Sequence, residues 1–352
     1  MKKVDFIIVG QGMAGTFLAH DLIESNQSIA IVDINMRASA SRVAAGLINP
    51  VGMKRCIPSF NAHLYFPKAI QRYKQLENKL NASFLDEKPL LRLFANESVK
   101  LDWQVKYSNT DMDAYISHIN YGNTFSFLHD SYGSAEINSC AHLDLHTFLD
   151  TSRHYFKANQ MVLEERFDFS CFDLDQCTYK NLQATAIIFC EGFRVKDNPY
   201  FKSLPLSPSK GEVMTIRIPS IETFDKVISK GVYILPLGNH LFIVGSTYNH
   251  IDMTDKLTDA GQSFLKEKIN EILSVDYEVV GSVAGVRPTV RDRKPLIGLH
   301  TLHNKLGVFN GFGTRGALQG PYLSAWFTAF LTAPQKNMQN ADIQRVNGFL
   351  SA

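Results

Sequence analysis

The chain has 352 residues, 45% of them apolar and 20% charged, with 36 Lys and Arg against 34 Asp and Glu. That length exceeds the roughly 250–300 residues at which one hydrophobic core stops growing, so two lobes are expected. The net charge of +2 carries no long single-sign block, which argues against nucleic-acid binding, and no tract is biased enough to suggest disorder.

Val4 to Val9 is a largely apolar run, as expected of a parallel strand covered on both faces. Gly10 ends it, and Met13 to Ile23 then repeats apolar residues at helical spacing. Ser28 to Val32 reads as a second buried strand ending at Asp33, so that strand, helix and strand make one βαβ unit. Phe60 to about Leu80 has a helical pattern. Phe84 to Ser139 is aromatic-rich and reads as short alternating segments. Leu143 to Ala158 is predicted as a helix and Ala184 to Cys190 as a buried strand returning to the first lobe.

Lys210 to Ile218 and Gly231 to Thr247 alternate like antiparallel strands, with Pro236-Leu237-Gly238-Asn239 as the hairpin turn. Thr258 to Leu273 is an amphipathic helix, Tyr277 to Arg287 an extended segment, Leu306 to Asn310 a last strand and Gly316 to Leu331 a last helix. The lobes are therefore interleaved in sequence. The apolar opening is too short for a signal-peptide core. The stretch Tyr322 to Thr332 is well under the roughly 20 residues that span a bilayer, so no transmembrane segment is expected. Cys56, Cys140, Cys171, Cys177 and Cys190 are odd in number, widely spaced and without a C-x-x-C pair, which disfavours a disulfide framework or a zinc site and fits a reducing cytoplasm. The eleven histidines, His63, His118 and His300 among them, lack ligand spacing, and no metal is expected.

Gly10-Gln11-Gly12-Met13-Ala14-Gly15 is G-x-G-x-x-G placed between a strand and a helix. The first glycine permits the tight turn, the second lets backbone approach a pyrophosphate, and the third allows close helix–strand packing. The diphosphate of a dinucleotide would lie at the helix N-terminus. Asp33, 18 residues past Gly15, is placed to bind ribose hydroxyls. The motif implies an ADP-containing cofactor without separating FAD from NAD(P). Arg42, Ala44, Ala45, Gly46 and Leu47 follow in a loop of small residues that could lie flat against a planar ligand or be an ordinary surface loop. Gly311, Gly313, Thr314, Arg315, Gly316 and Ala317 form a second glycine-rich turn into a helix, whose N-terminus suits the N1/C2-carbonyl end of a reduced flavin. FAD is favoured on that ground.

These residues resemble the D-amino-acid oxidase/glycine oxidase (DAO) family of FAD-dependent oxidoreductases. The resemblance rests on Gly10, Gly12, Gly15 and Asp33, on Ala44-Ala45-Gly46, Lys210-Gly211-Glu212, Val232 to Pro236, Gly285-Val286-Arg287-Pro288, Asp292 with Pro295, and Gly311 to Gly316. It implies an α/β fold in which a Rossmann-like FAD-binding domain of the glutathione-reductase type (1–60, 141–204, 281–352) is interleaved with a mixed-sheet substrate domain (61–140, 205–280). It implies oxidation of an amine or amino acid by hydride transfer to flavin N5, with Phe167, Cys190 and Gly192 joining the cofactor site. Arg287 matches the family's carboxylate-binding arginine, its alternative being a structural salt bridge. Tyr233 could steer the substrate or simply pack, and Arg315 could face the substrate or the flavin's pyrimidine side. No residue stands out as a base, and none is required if the amine binds neutral.

The chain departs from the family at Cys190-Glu191-Gly192-Phe193, in place of a small-residue run and an aromatic, and at Glu212, where relatives often carry an amide. Two other readings stand beside amine oxidation. One is a flavin-dependent tRNA-modification enzyme, whose Gly-x-Gly-x-Arg-Gly loop is similar to Gly311 to Gly316; the other is a non-catalytic FAD-binding protein. A small-molecule substrate is the expected partner, and homo-oligomerisation is left open.

Overall fold

The computed structural model describes residues 1–53, 56–109 and 111–333; the final 19 residues of the expected cofactor domain, 334–352, lie outside them. In chain order the principal elements begin with β1 (Lys2–Val9), α1 (Met13–Glu24), β2 (Ile29–Val32), a single turn α2 (Ala40–Val43) and α3 (Ala62–Leu80). Next come β3 (Leu90–Leu93), α4 (Glu97–Asn109), β4 (Ile116–Asn120), β5 (Ser134–Ile137), α5 (Leu145–Ala158) and β6 (Leu182–Phe189). The remainder comprises β7 (Ser209–Arg217), β8 (Val227–Lys230), β9 (Val232–Gly238), β10 (Leu241–Gly245), α6 (Asp259–Asn270), β11 (Glu278–Arg287), β12 (Leu296–Leu299), β13 (Leu306–Asn310) and α7 (Gly316–Thr332).

The first sheet runs in parallel from a short strand at Val162–Leu163 through β2, β1 and β6 to β13, with β12 antiparallel at its edge. The central stretches of its strands are apolar because both faces are covered there. Ile8, Ile31, Ile188 and Phe309 pack with Leu18 of α1 and Phe327 of α7 on one face. Ile7, Val32, Ile187 and Phe189 pack with Phe167, Tyr179 and Phe201 on the other. The second sheet has the order β11-β7-β10-β9-β8-β3-β5-β4 and is antiparallel except where β8 meets β3. Leu265 and Ile269 of α6 bury its Met214, Ile216 and Val244. The two sheets alternate along the chain, giving the expected mixed α/β fold. Among the described residues no helix is long and apolar enough to cross a membrane.

Several sequence expectations need correction. The 84–139 region holds a 13-residue helix, α4, rather than only short extended pieces. Trp103 is buried on it while Leu101 and Val105 are exposed, so the helix lacks the apolar periodicity that would announce it. The β9–β10 turn centres on Asn239 and His240, both at positive φ as a type I′ turn requires, and Pro236 lies inside β9. The short strands β8 and β12 had no sequence signal strong enough to mark them. β11 pairs with β7 from Glu278 to Arg287.

Candidate active site

A cavity of about 1030 Å³ opens between the two sheets. The first sheet brings the loop after β1 to it. That loop is shaped by close approach: a Cβ on Gly15 would overlap the Gly10 carbonyl oxygen, so α1 could not start so near β1. Gly15 itself lies behind the loop, while Gly10, Gly12, Met13 and Ala14 line the cavity. The N-cap residue Gly12 supplies no side-chain cap to α1, and the Met13 N–H donates to Ser41 Oγ, 28 residues away, at 2.9 Å. An uncapped helix start is a site for anionic oxygens.

Asp33 lines the cavity with its carboxylate already oriented. Oδ2 accepts from the Gln11 N–H at 2.8 Å, and Oδ1 accepts from the Asn35 N–H at 2.6 Å and from Arg153 Nη1 at 2.9 Å. Arg153, buried on α5, also donates to Gln11 Oε1 and Glu164 Oε1. Sequence reasoning missed this arginine because 120 residues separate it from Asp33. Ala44, Ala45, Gly46 and Leu47 line the cavity as well, but Arg42 does not; it pairs with Asp150 of α5 and Asn35.

Phe167, Cys190 and Gly192 reach the same wall. Phe167 is mainly a core residue, stacked on Tyr179 with ring centroids 4.3 Å apart. The Cys190 carbonyl abuts Gly10, and burial pushes the Cys190 thiol well up, so it stays a thiol. Beside it, burial pushes the Glu191 carboxyl up to about 7; the Asn198 amide, donating at 2.8 Å, opposes this and the Asp197 charge adds to it. On the far side Gly313, Thr314, Arg315, Gly316 and Ala317 line the cavity, whereas Gly311 sits behind, against Val290 and Leu296. α7 also begins uncapped at Arg315.

The second sheet supplies Arg287 and Tyr233. A Cβ on Gly211 would overlap the Arg287 guanidinium, so the glycine of β7 makes room for the arginine to lie across the strand; Gly245 does the same for the Tyr233 hydroxyl. Arg287 Nη2 donates to Ser246 Oγ at 2.7 Å and Nη1 to the Thr247 carbonyl at 3.2 Å, and the Tyr248 ring lies 4.7 Å from its guanidinium carbon. It has no carboxylate partner in these contacts. Burial lowers its pKa, which Tyr248 and Tyr233 partly offset, and the guanidinium remains charged. Burial pushes the Tyr233 hydroxyl well up, against the Arg287 charge, so the phenol keeps its proton. Ser246 and Tyr248 carried no sequence motif and were not anticipated.

Glu212 proves to be away from the cavity. It accepts from Thr258 N–H, Thr258 Oγ1 and Gln262 Nε2, tying β7 to the start of α6. A carboxylate serves three donors there, which accounts for an acid in place of an amide.

Residues 5–330 match the family described as FAD dependent oxidoreductase (DAO). The chain belongs to the DAO family. It is therefore an FAD-dependent oxidoreductase. It is 20% identical over 366 residues to glycine oxidase of Bacillus subtilis (strain 168), covering 96% of this chain and 95% of that protein. Among solved structures it is similar to glycine oxidase from Geobacillus kaustophilus, at a TM-score of 0.81 and 20% identity over 97% of both chains. L-proline dehydrogenase from P.horikoshii is also similar, at a TM-score of 0.79 and 12% identity over 99% of this chain and 97% of that one. The cavity fits the family's FAD. Two uncapped helix starts face it, glycines hold its backbone close, and its volume lies at the top of the roughly 300–1,000 Å³ range of ligand pockets.

Proposed function

We propose that this DAO-family protein oxidises an amine or amino acid bearing a carboxylate at its CH–NH bond. The observation that carries the reading is Arg287, a preoriented cation on the cavity lined by both glycine-rich loops. Gly10, Gly12, Met13, Ala14, Asp33, Ala44 to Leu47 and Gly313 to Ala317 would hold FAD, with Gly15, Arg42 and Gly311 supporting those loops from behind. Bound FAD supplies the acceptor for the α-hydrogen and its two electrons.

Arg287 pairs the substrate carboxylate through its guanidinium fork, which fixes the α-carbon in the cavity. The protonated Tyr233 hydroxyl donates to the carboxylate or accepts from the amine. Positive charge from Arg287 and Arg315 discourages protonation of the amine, so its lone pair is available to form the C=N bond as the α-hydrogen leaves. A separate base is not needed. The sheet memberships support a cofactor domain of 1–60, 141–204 and the chain after Arg287, and a substrate domain of 61–140 and 205–287. Five unpaired cysteines support a cytoplasmic location.

Anaerobic addition of glycine, sarcosine, proline and D-amino acids to the yellow protein tests this. Bleaching of the flavin by at least one is expected. Bleaching by none would sink amine oxidation, and affinity for tRNA would turn the reading to nucleic-acid modification.

A further inference from the structure

The turn Pro288 to Val290 gathers three arginines at the cavity. Arg287 precedes it. Arg293 follows, its backbone N–H donating to the Val290 carbonyl at 2.9 Å, and the Gly313 N–H donates to the Pro288 carbonyl at 3.2 Å, which lays the Arg315 loop alongside. All three residues line the same cavity.

They are not equivalent. Arg287 is engaged by Ser246, Thr247 and Tyr248. Among the described residues neither Arg293 nor Arg315 has a side-chain hydrogen bond or an ion pair. Both are nonetheless close together: Arg315 has its pKa lowered first by burial and then by the Arg293 charge. Arg291 and Lys294 lie on the same segment, together with Asp292, whose Oδ1 accepts from the Lys294 N–H at 3.1 Å. Arg293 also holds φ at 62°, a left-handed conformation that an L-residue adopts only at a cost and that glycine would adopt freely. Such strain at a cavity wall is a pointer to a site. Two like charges held together without a counter-ion are relieved by an anion placed between them. The uncapped start of α1 already offers the FAD diphosphate its place, so a different anion is called for.

We propose that Arg293 and Arg315 form a second anion subsite beside Arg287, so that the protein prefers amine substrates carrying two carboxylates to those carrying one. The inference rests on reading the cavity as the amine-oxidation site. Arg287 takes the carboxylate next to the reacting carbon, and the second acid group lies between Arg293 and Arg315. Monoacid amines leave that pair unneutralised.

Equilibrium binding of acetate, malonate and succinate to the FAD-loaded protein, by titration calorimetry at fixed ionic strength, tests the subsite without turnover. At least one dianion is expected to bind about tenfold or more tightly than acetate, a difference of about 1.4 kcal/mol. Arg293→Gln should reduce that ratio to near one, whereas Arg293→Lys should retain most of it. Arg293 is exposed, so neither change threatens folding. Dianions that bind no better than acetate, or a preference that survives Arg293→Gln, would overturn the subsite. A parallel anaerobic comparison of aspartate and alanine, each as both enantiomers, separates the two claims. Bleaching by alanine without a dianion preference defeats the subsite and leaves amine oxidation standing. A dianion preference without bleaching by any amine in the panel defeats the oxidation reading and leaves the subsite standing.

Discussion

Arg287 is held in position by Ser246 and the Thr247 carbonyl, so it would engage a carboxylate without having to be ordered first. Hydrogen bonds to charged groups contribute about 1.5–3 kcal/mol. Arg287→Ala is therefore expected to weaken carboxylate substrates by roughly 10- to 150-fold in KM or Kd while FAD retention changes far less. Equal loss of both would make the arginine structural. Glu191 gives a pH signature. Its folded pKa of about 7 lies above the ordinary 4.5, so the folded state favours the proton. That favourable contribution is complete below pH 4.5 and is lost as pH rises through 7. Thermal melts should thus show Glu191→Gln gaining stability relative to the parent at about pH 8 and little at about pH 5. The opposite trend would mean that the carboxylate has an unrecognised cationic partner.

At the scale of elements, the βαβ start depends on α1 approaching β1 at Gly15. A methyl there overlaps the Gly10 carbonyl and has rigid backbone as its neighbour. Overpacking costs about 1–3 kcal/mol, and more where nothing can yield. Gly15→Ala is expected to weaken FAD binding by at least about tenfold, read as flavin released on gel filtration; full flavin retention would contradict it. The βαβ unit was legible because all its signals are local: an apolar run, three glycines at fixed spacing and an acid at the next strand end. α4 was not, since it buries Trp103 and exposes Leu101 and Val105, and such a helix is settled by what it packs against. Glu212 misled for a related reason. Its strand position was readable, but its three donors come from the start of a helix 46 residues and more away.

For the whole molecule, the cavity wall draws Val9 from the first sheet, Cys190 from just beyond it, and Val213, Gly285 and Arg287 from the second. A ligand filling it contacts both and couples their unfolding. Free FAD at about 100 times its Kd should add about 2.7 kcal/mol to stability. Thermal scans should show one transition whose midpoint rises with FAD; two transitions, only one of them responsive, would show that the sheets unfold separately. By itself the sequence determined the βαβ unit, both glycine-rich loops and the family, because each depends on residues a few positions apart whose backbone demands are intrinsic. Only the tertiary structure decided that Arg153 orients Asp33, that Gly211 clears room for Arg287, and that Arg293 stands beside Arg315. Those relations join residues 22 to 120 positions apart, and burial, strand register and charge proximity exist only once the chain has folded.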